Sequence, residues 1–222
     1  MTHTAGLFHF SPRPVAVVIL SLLMVIGCVS CTAPTNQNAV IRQSADPSGF
    51  LGAALPEPYL MPDAVLTDTS GGSFNLRTTP SAPVTLVFFG YTSCPDVCIA
   101  VLSDVATALG RMDAAARSQI QVVFITTDPS RDTPKRVRAY LDRFDPSFIG
   151  LTGDLGTIKS VGKRIGVEIE GMHKLPSGGY EVGHGAQVIG FDKARKGVVL
   201  WTPSTPIGDL KHDFELLVAK QR

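Results

Sequence analysis

The sequence predicts an α/β domain: a central sheet flanked by helices, with one hairpin at its N-terminal end and a second inserted before the closing helix. Three observations predict it. Val84–Phe89 is a short unbroken apolar run of the kind buried in the middle of a sheet. A helical pattern follows, and Ile120–Thr126 repeats the strand signal, which makes a β-α-β unit. Two pairs of short strand patterns bounded by turn residues supply the hairpins.

In chain order, Ala64–Thr67 and Ser73–Leu76 flank Asp68-Thr-Ser-Gly-Gly72, a hairpin signal. After the apolar strand, a helix is expected from about Val97 to Met112, with Val101, Leu102, Val105 and Leu109 on one face. Beyond the strand at 120–126, Thr133 reads as an N-cap with Pro134 at the first helical position. That helix buries Val137, Tyr140, Leu141 and Phe144. Leu155–Ile165 is amphipathic and stops at Gly166. Gln187–Phe191 and Val198–Trp201 form the second hairpin. Ile207–Lys220 closes the domain with Leu210, Phe214, Leu217 and Val218 inward. Hairpin, β-α-β, helix, hairpin, helix is the thioredoxin-like order.

The 222 residues are 44% hydrophobic, enough for one good core with length to spare. The formal net charge is +1, and no basic run or basic-aromatic stripe is present. Nucleic acid and an anionic membrane surface are therefore excluded as electrostatic partners. The spare length lies at the N-terminus. Val15–Ile26 is an apolar stretch of signal-segment length preceded by Arg13, and it ends in Val25-Ile26-Gly27-Cys28. A small residue directly before a cysteine resembles the lipobox of bacterial lipoproteins, which makes Cys28 the expected lipidation site. Cys31, with a cysteine among its own upstream residues, fits less well. An uncleaved anchor over the same residues is the alternative. Residues 1–31 are thus read as signal segment, lipobox or anchor, and 32–52, rich in Thr, Pro, Asn, Gln and Ser, as a flexible linker. Residues 53–222 are the folded domain. Either N-terminal reading exports the domain and tethers it to the outer face of the cytoplasmic membrane, where thiols need a reductant or a metal to stay unpaired.

Of four cysteines, Cys28 and Cys31 belong to the exported segment, so the functional pair is Cys94 and Cys98. They lie in Phe89-Gly-Tyr-Thr-Ser-Cys-Pro-Asp-Val-Cys98, where a buried strand meets a helix. Spacing i, i+4 places both sulfurs on one face at the first turn, close enough to share a metal ion or form a disulfide. The helix N-terminus favours thiolate. Pro95 restricts the turn and helps aim the sulfurs, and Asp96 is expected to cap the helix. Open α/β sheets bind ligands at the C-terminal ends of central strands, which is where this pair sits.

Two thiolates make a poor site for most metals, so a third ligand is expected among five histidines. His3 and His9 fall in the signal segment, and His212 falls on the solvated face of the closing helix. His184, in Tyr180-Glu-Val-Gly-His-Gly-Ala-Gln-Val-Ile-Gly-Phe191, precedes an apolar strand whose connecting loop can bring an imidazole to the cysteine turn. His173, in Gly171-Met-His-Lys-Leu-Pro-Ser-Gly-Gly179, reads as part of an exposed excursion, with Met172 beside it as a second soft donor.

Gly90-Tyr-Thr-Ser-Cys-Pro-Asp-Val-Cys98 resembles the cysteine motif of the SCO/SenC family, proteins associated with copper delivery to cytochrome c oxidase. Thr127-Asp-Pro-Ser-Arg-Asp-Thr-Pro134 is similar to that family's segment after the next strand. His184, followed by a short apolar strand and Asp192, is similar to its histidine, loop and strand. The resemblance runs from about Pro58 to the C-terminus and implies a thioredoxin-like fold in which Cys94, Cys98 and His184 bind one copper ion. Two thiolates and one imidazole form a soft three-coordinate set suited to Cu(I), and with an added ligand to Cu(II). No fourth Cys or His is spaced for a structural zinc site. This chain has Gly183 and Gly185 where the family commonly carries an acidic and a hydroxyl residue, and Ile99 where its second cysteine is usually followed by proline. The two glycines predict a loose loop around His184. Asp128, before Pro129, reads as a turn residue.

The resemblance implies an extracytoplasmic metallochaperone whose clients are a cytochrome c oxidase subunit or another cuproprotein. The alternative is a thiol–disulfide oxidoreductase using Cys94 and Cys98 as its redox pair, served by a thiol reductant. General reductases usually have two residues between their cysteines, and this pair has three. A peroxide-reducing enzyme is the third reading, on fold alone.

Overall fold

The computed structural model describes residues 47–176 and 178–221. Its main sheet has eight strands in the order β1 (Ala53–Leu60), β10 (Lys196–Trp201), β9 (Val188–Phe191), β4 (Val84–Gly90), β5 (Ile120–Thr126), β6 (Ile149–Thr152), β2 (Val65–Asp68) and β3 (Ser73–Asn75). Strands β4, β5 and β6 run parallel, and the remaining pairs are antiparallel. Every residue of β4 is buried, as its unbroken apolar run requires of a central strand. The crossover from β4 to β5 carries α1 (Val97–Gly110) and the short α2 (Ala114–Arg117), and α3 (Pro134–Leu141) connects β5 to β6. Helix α4 (Leu155–Arg164) follows β6, and α5 (Ile207–Ala219) closes the chain against α1. This is the expected thioredoxin-like arrangement.

Local chemistry accounts for most boundaries. The Thr133 side chain accepts from Arg136 N, with Pro134 at the first helical position, as its sequence predicts. Gly166 takes φ +75° just after α4, the conformation that ends a helix. Val137, Tyr140 and Leu141 are buried, whereas Phe144 lies beyond the end of α3 and is half-buried.

Two strands of the main sheet carry weak sequence signals. Strand β1 contains Pro56 and Pro58, which a central strand would not tolerate. It lies at the sheet edge with its register shifting between Ala54 and Tyr59. Strand β6 is only four residues long. The start of the excursion read at 171–179 is strand, where an exposed loop was expected. Its first four residues belong to β7 (Ile169–Lys174), which pairs antiparallel with β8 (Tyr180–His184) in a separate two-stranded sheet, Ile169 opposite His184.

The folded unit begins inside the segment read as linker 32–52. Phe50 is buried in the core, and the Leu51 and Gly52 N–H groups donate to the Asp213 carboxylate at 2.9 and 2.7 Å. Asp213, on α5 and 0% exposed, also accepts from the Trp201 indole N–H at 2.8 Å and pairs with His212 Nδ1. The exported segment 1–31, including Cys28, and linker residues 32–46 lie outside the described residues.

Candidate metal centre

The chain leaves β4 at Gly90, and the turn Tyr91–Asp96 delivers both cysteines before α1 is established. Only Cys98 is a helical residue; Cys94 lies two residues before the N-cap, Asp96. The expectation that Asp96 caps α1 fails, since its side chain makes no capping hydrogen bond. The Cys98 N–H points instead to Cys94 Sγ at 3.5 Å. A sulfur therefore occupies the electropositive end of α1 that a carboxylate was expected to fill.

That placement polarises the pair. Cys94 is depressed to about 5, first because the Cys98 thiol hydrogen-bonds its sulfur, with further help from the Cys98 and Asp96 backbone. Cys98 is pushed up by the same interaction and by its own burial, so it holds the proton. In the reduced protein the pair is a thiolate at Cys94, 6% exposed, and a thiol at Cys98, 0% exposed. Gly90 makes the space: a Cβ there would stand 3.1 Å from Cys98 Sγ and 2.9 Å from Phe124.

His184 is the last residue of β8, and its ring enters from above the thiols. Its Nδ1 lies 2.9 Å from the Gly185 carbonyl oxygen, and its Nε2 lies 3.7 Å from Cys98 Sγ. A carbonyl only accepts, so Nδ1 carries the hydrogen of the neutral ring and Nε2 presents a lone pair to Cys98 Sγ. The ring of Tyr91 meets it edge-on, centroids 5.9 Å apart. Among the described residues no three His, Cys, Asp or Glu side chains form a ready-made coordination shell. Cys98 is the member shared between its two neighbours, and the set closes only if the sulfurs and Nε2 draw together.

The glycines around His184 do not leave it loose. A Cβ at Gly183 would stand 2.6 Å from a carboxylate oxygen of Glu170, and one at Gly185 would stand 2.5 Å from Oε1 of Gln187. The Glu170 side chain on the paired strand and the Gln187 side chain from the loop itself thus cover the two glycines. Gln187 also donates to Gly166 O at 2.8 Å, and Gly185 N donates to Glu168 O at 2.9 Å. His173, on β7, faces Glu170 at 3.4 Å, and Met172 is 65% exposed; neither is brought to the sulfurs.

Several supporting residues lack a role in the sequence reading. Asp132, 0% exposed, accepts from Thr92 N at 2.9 Å, Thr92 Oγ1 at 2.6 Å and Thr126 Oγ1 at 2.6 Å. It thereby ties the cysteine turn to the end of β5. Arg136 on α3 adds hydrogen bonds to Thr92 Oγ1 and Ser93 Oγ, both at 3.0 Å. Asp128 is more than a turn residue: it is buried, accepts from Ser130 Oγ and Tyr180 Oη, and pairs with Arg131. Burial opposes its ionisation, but those donors outweigh it and hold the carboxyl below its usual range. The signal for these residues was the segment Thr127–Pro134, whose polar side chains look like turn formers until the neighbouring strands are placed.

Together these features define a thioredoxin-like domain that turns a thiolate, a thiol and an imidazole lone pair toward one another at the end of its central parallel strand. The chain belongs to the SCO1/SenC family, whose model matches residues 55–219. A relative from Stutzerimonas stutzeri is 31% identical over 179 residues, covering 78% of this chain and 84% of its own. The structure of Bradyrhizobium japonicum ScoI with copper bound superposes with a TM-score of 0.61 at 29% identity, covering 75% of this chain and 98% of that one. The solution structure of apo Sco1 from Thermus thermophilus gives 0.66 at 30% identity, over 76% and 96%. With three other curated relatives the match is shorter, spanning between 31% and 53% of their length. Among the described residues no helix is long and apolar enough to cross a membrane.

Proposed function

We propose that this protein is an extracytoplasmic copper metallochaperone. It takes one copper ion through Cys94, Cys98 and His184 and passes it by ligand exchange to the copper site of cytochrome c oxidase or another cuproprotein. One observation carries the reading: His184 Nδ1 is committed to a carbonyl, which leaves Nε2 free to act as a ligand 3.7 Å from Cys98 Sγ. The two sulfurs and Nε2 are the soft donors that Cu(I) prefers, and a three-coordinate set leaves room for an incoming client ligand. Copper bound to the homologous ScoI supports the choice of metal. Lipidation at Cys28 would tether the domain outside the cytoplasmic membrane, within reach of membrane-bound clients.

The polarised thiols also suit thiol–disulfide exchange, with Cys94 as the attacking sulfur and Cys98 as its resolving partner. A reductase needs both sulfurs but not the imidazole, so His184 separates the two readings. Copper titration of the reduced protein tests this. One equivalent should bind and produce sulfur-to-copper charge-transfer absorption, and His184→Ala should bind far more weakly. Unchanged binding in the variant, with retained disulfide reductase turnover, would sink the three-ligand assignment.

A further inference from the structure

We propose that Arg131 and Tyr180 form a latch that positions His184 over the thiols, so that the third ligand is held by the turn between β5 and α3 and not by its own loop alone. The inference rests on His184 being a ligand, as proposed above, and adds what holds it there.

The hairpin β7–β8 stands apart from the main sheet: among the described residues it forms its own two-stranded sheet with no strand pairing to the main one. Something outside the ladder must fix where its last residue stands. Tyr180 opens β8, and the Arg131 guanidinium lies 3.6 Å from the centre of its ring, inside cation–π range. Arg131 Nη1 also donates to the Tyr180 carbonyl at 3.1 Å. The Tyr180 hydroxyl donates to Asp128 Oδ1 at 3.0 Å and lies 3.1 Å from Ser130 Oγ. Asp128 in turn pairs with Arg131, so cation, carboxylate and phenol close a ring of contacts around one residue of the strand. The same guanidinium lies 5.7 Å from the centre of the Tyr91 ring, which meets the His184 imidazole edge-on and whose hydroxyl accepts from the Val182 backbone N–H on β8. Arg131 thus reaches both the start of the strand that carries His184 and the ring against which His184 packs.

The latch also answers to the thiol half of the centre. Asp132, one residue beyond Arg131, fixes the cysteine turn through Thr92. One short turn therefore sets the sulfurs and the imidazole in a common frame, which is what keeps the donor separation small before a metal arrives. Arg131 and Tyr180 make no contact with the sulfurs, and they are positioning residues.

The test uses the full-length reduced protein with Cu(I) as probe, competed against a chromogenic chelator, in wild type, Tyr180→Phe, Tyr180→Ala, His184→Ala and the His184→Ala/Tyr180→Ala double variant. Amide hydrogen exchange of Tyr180–His184 is measured without metal. Outer partners of a metal ligand typically contribute about 10- to 100-fold in affinity. Tyr180→Ala should weaken binding by about that factor and speed exchange at Val182–His184. Tyr180→Phe, which keeps the ring on Arg131, should recover part of both. Because the latch acts only through the imidazole, Tyr180→Ala should add nothing once His184 is gone. An equal loss in the His184→Ala background would overturn the latch, as would unchanged exchange in metal-free Tyr180→Ala. If His184→Ala alone leaves affinity intact, the ligand assignment fails instead, and the exchange measurement still decides whether the latch holds the strand.

Discussion

His184 turns Nε2 toward Cys98 Sγ, 3.7 Å away, because its other ring nitrogen is held by the carbonyl of the next residue, Gly185, at 2.9 Å. The contact joins the first helix after the central strand to the end of a hairpin 86 residues later in the chain. A local hydrogen bond sets the tautomer, and the fold supplies the sulfur.

The two thiols should titrate apart. Cys94, depressed to about 5 by the Cys98 thiol, should react with iodoacetamide at a rate whose midpoint lies near pH 5, against about 8.5 for an unperturbed cysteine. Cys98→Ala removes the donor and should move the midpoint upward by several units. For Cys94 the folded value lies below the unfolded one, so its ionisation contributes stability present above its unfolded pKa, which the raised Cys98 opposes only as pH climbs past the range of an ordinary thiol. That contribution is lost as pH falls through about 5. A wild-type midpoint near 8.5 would show that the Cys98 thiol does not polarise Cys94.

Gly90→Ala should damage the centre without touching a ligand. Its new Cβ would lie 2.9 Å from Phe124 and 3.1 Å from Cys98 Sγ, in a strand with every residue buried. Overpacking of this kind costs about 1–3 kcal/mol. Urea unfolding should show that loss, and the copper charge-transfer band should shift because Cys98 must move. A wild-type band in a variant destabilised by this amount would mean that the strain relaxes through Phe124 alone.

Asp213→Ala should detach the N-terminal end of the domain from α5. It strands the Leu51, Gly52 and Trp201 N–H groups that the carboxylate satisfies. At about 1–3 kcal/mol for each unsatisfied buried donor, offset where water reaches the freed segment, a loss of about 3 kcal/mol is expected. Trp201 is the sole tryptophan, so its emission should red-shift on the same variant while thiol reactivity stays unchanged. A change of less than about 1 kcal/mol would contradict the anchoring role.

What the sequence made legible was the part whose causes are local. The apolar run of β4, the Thr133-Pro134 start of α3 and the amphipathic faces of α4 and α5 each carry their own signal, and the structure agrees with them. The cysteine turn was legible for the same reason. Strand β1 was hidden by two prolines that only an edge position excuses, and β6 by its length of four residues. The supporting shell was hidden because its chemistry is non-local. Asp128 meets Tyr180 across 52 positions, and Thr92 meets Asp132 across 40. Residues that read as turn formers became anchors only when the sheet brought those partners together. Gly183 and Gly185 misled in the opposite sense. Alone they predict looseness, but Glu170 and Gln187 cover them, one reaching across from the paired strand and the other folding back from two residues on in the same loop.

The most direct test of the central claim is copper K-edge X-ray absorption of the protein loaded with one equivalent of Cu(I), beside the His184→Ala variant. Two sulfur scatterers and one imidazole should surround the metal in the wild type, and the imidazole contribution should vanish in the variant while both sulfurs remain. A wild-type spectrum with sulfur ligands alone, or an imidazole signal that survives in His184→Ala, would contradict the assignment of His184 as the third ligand.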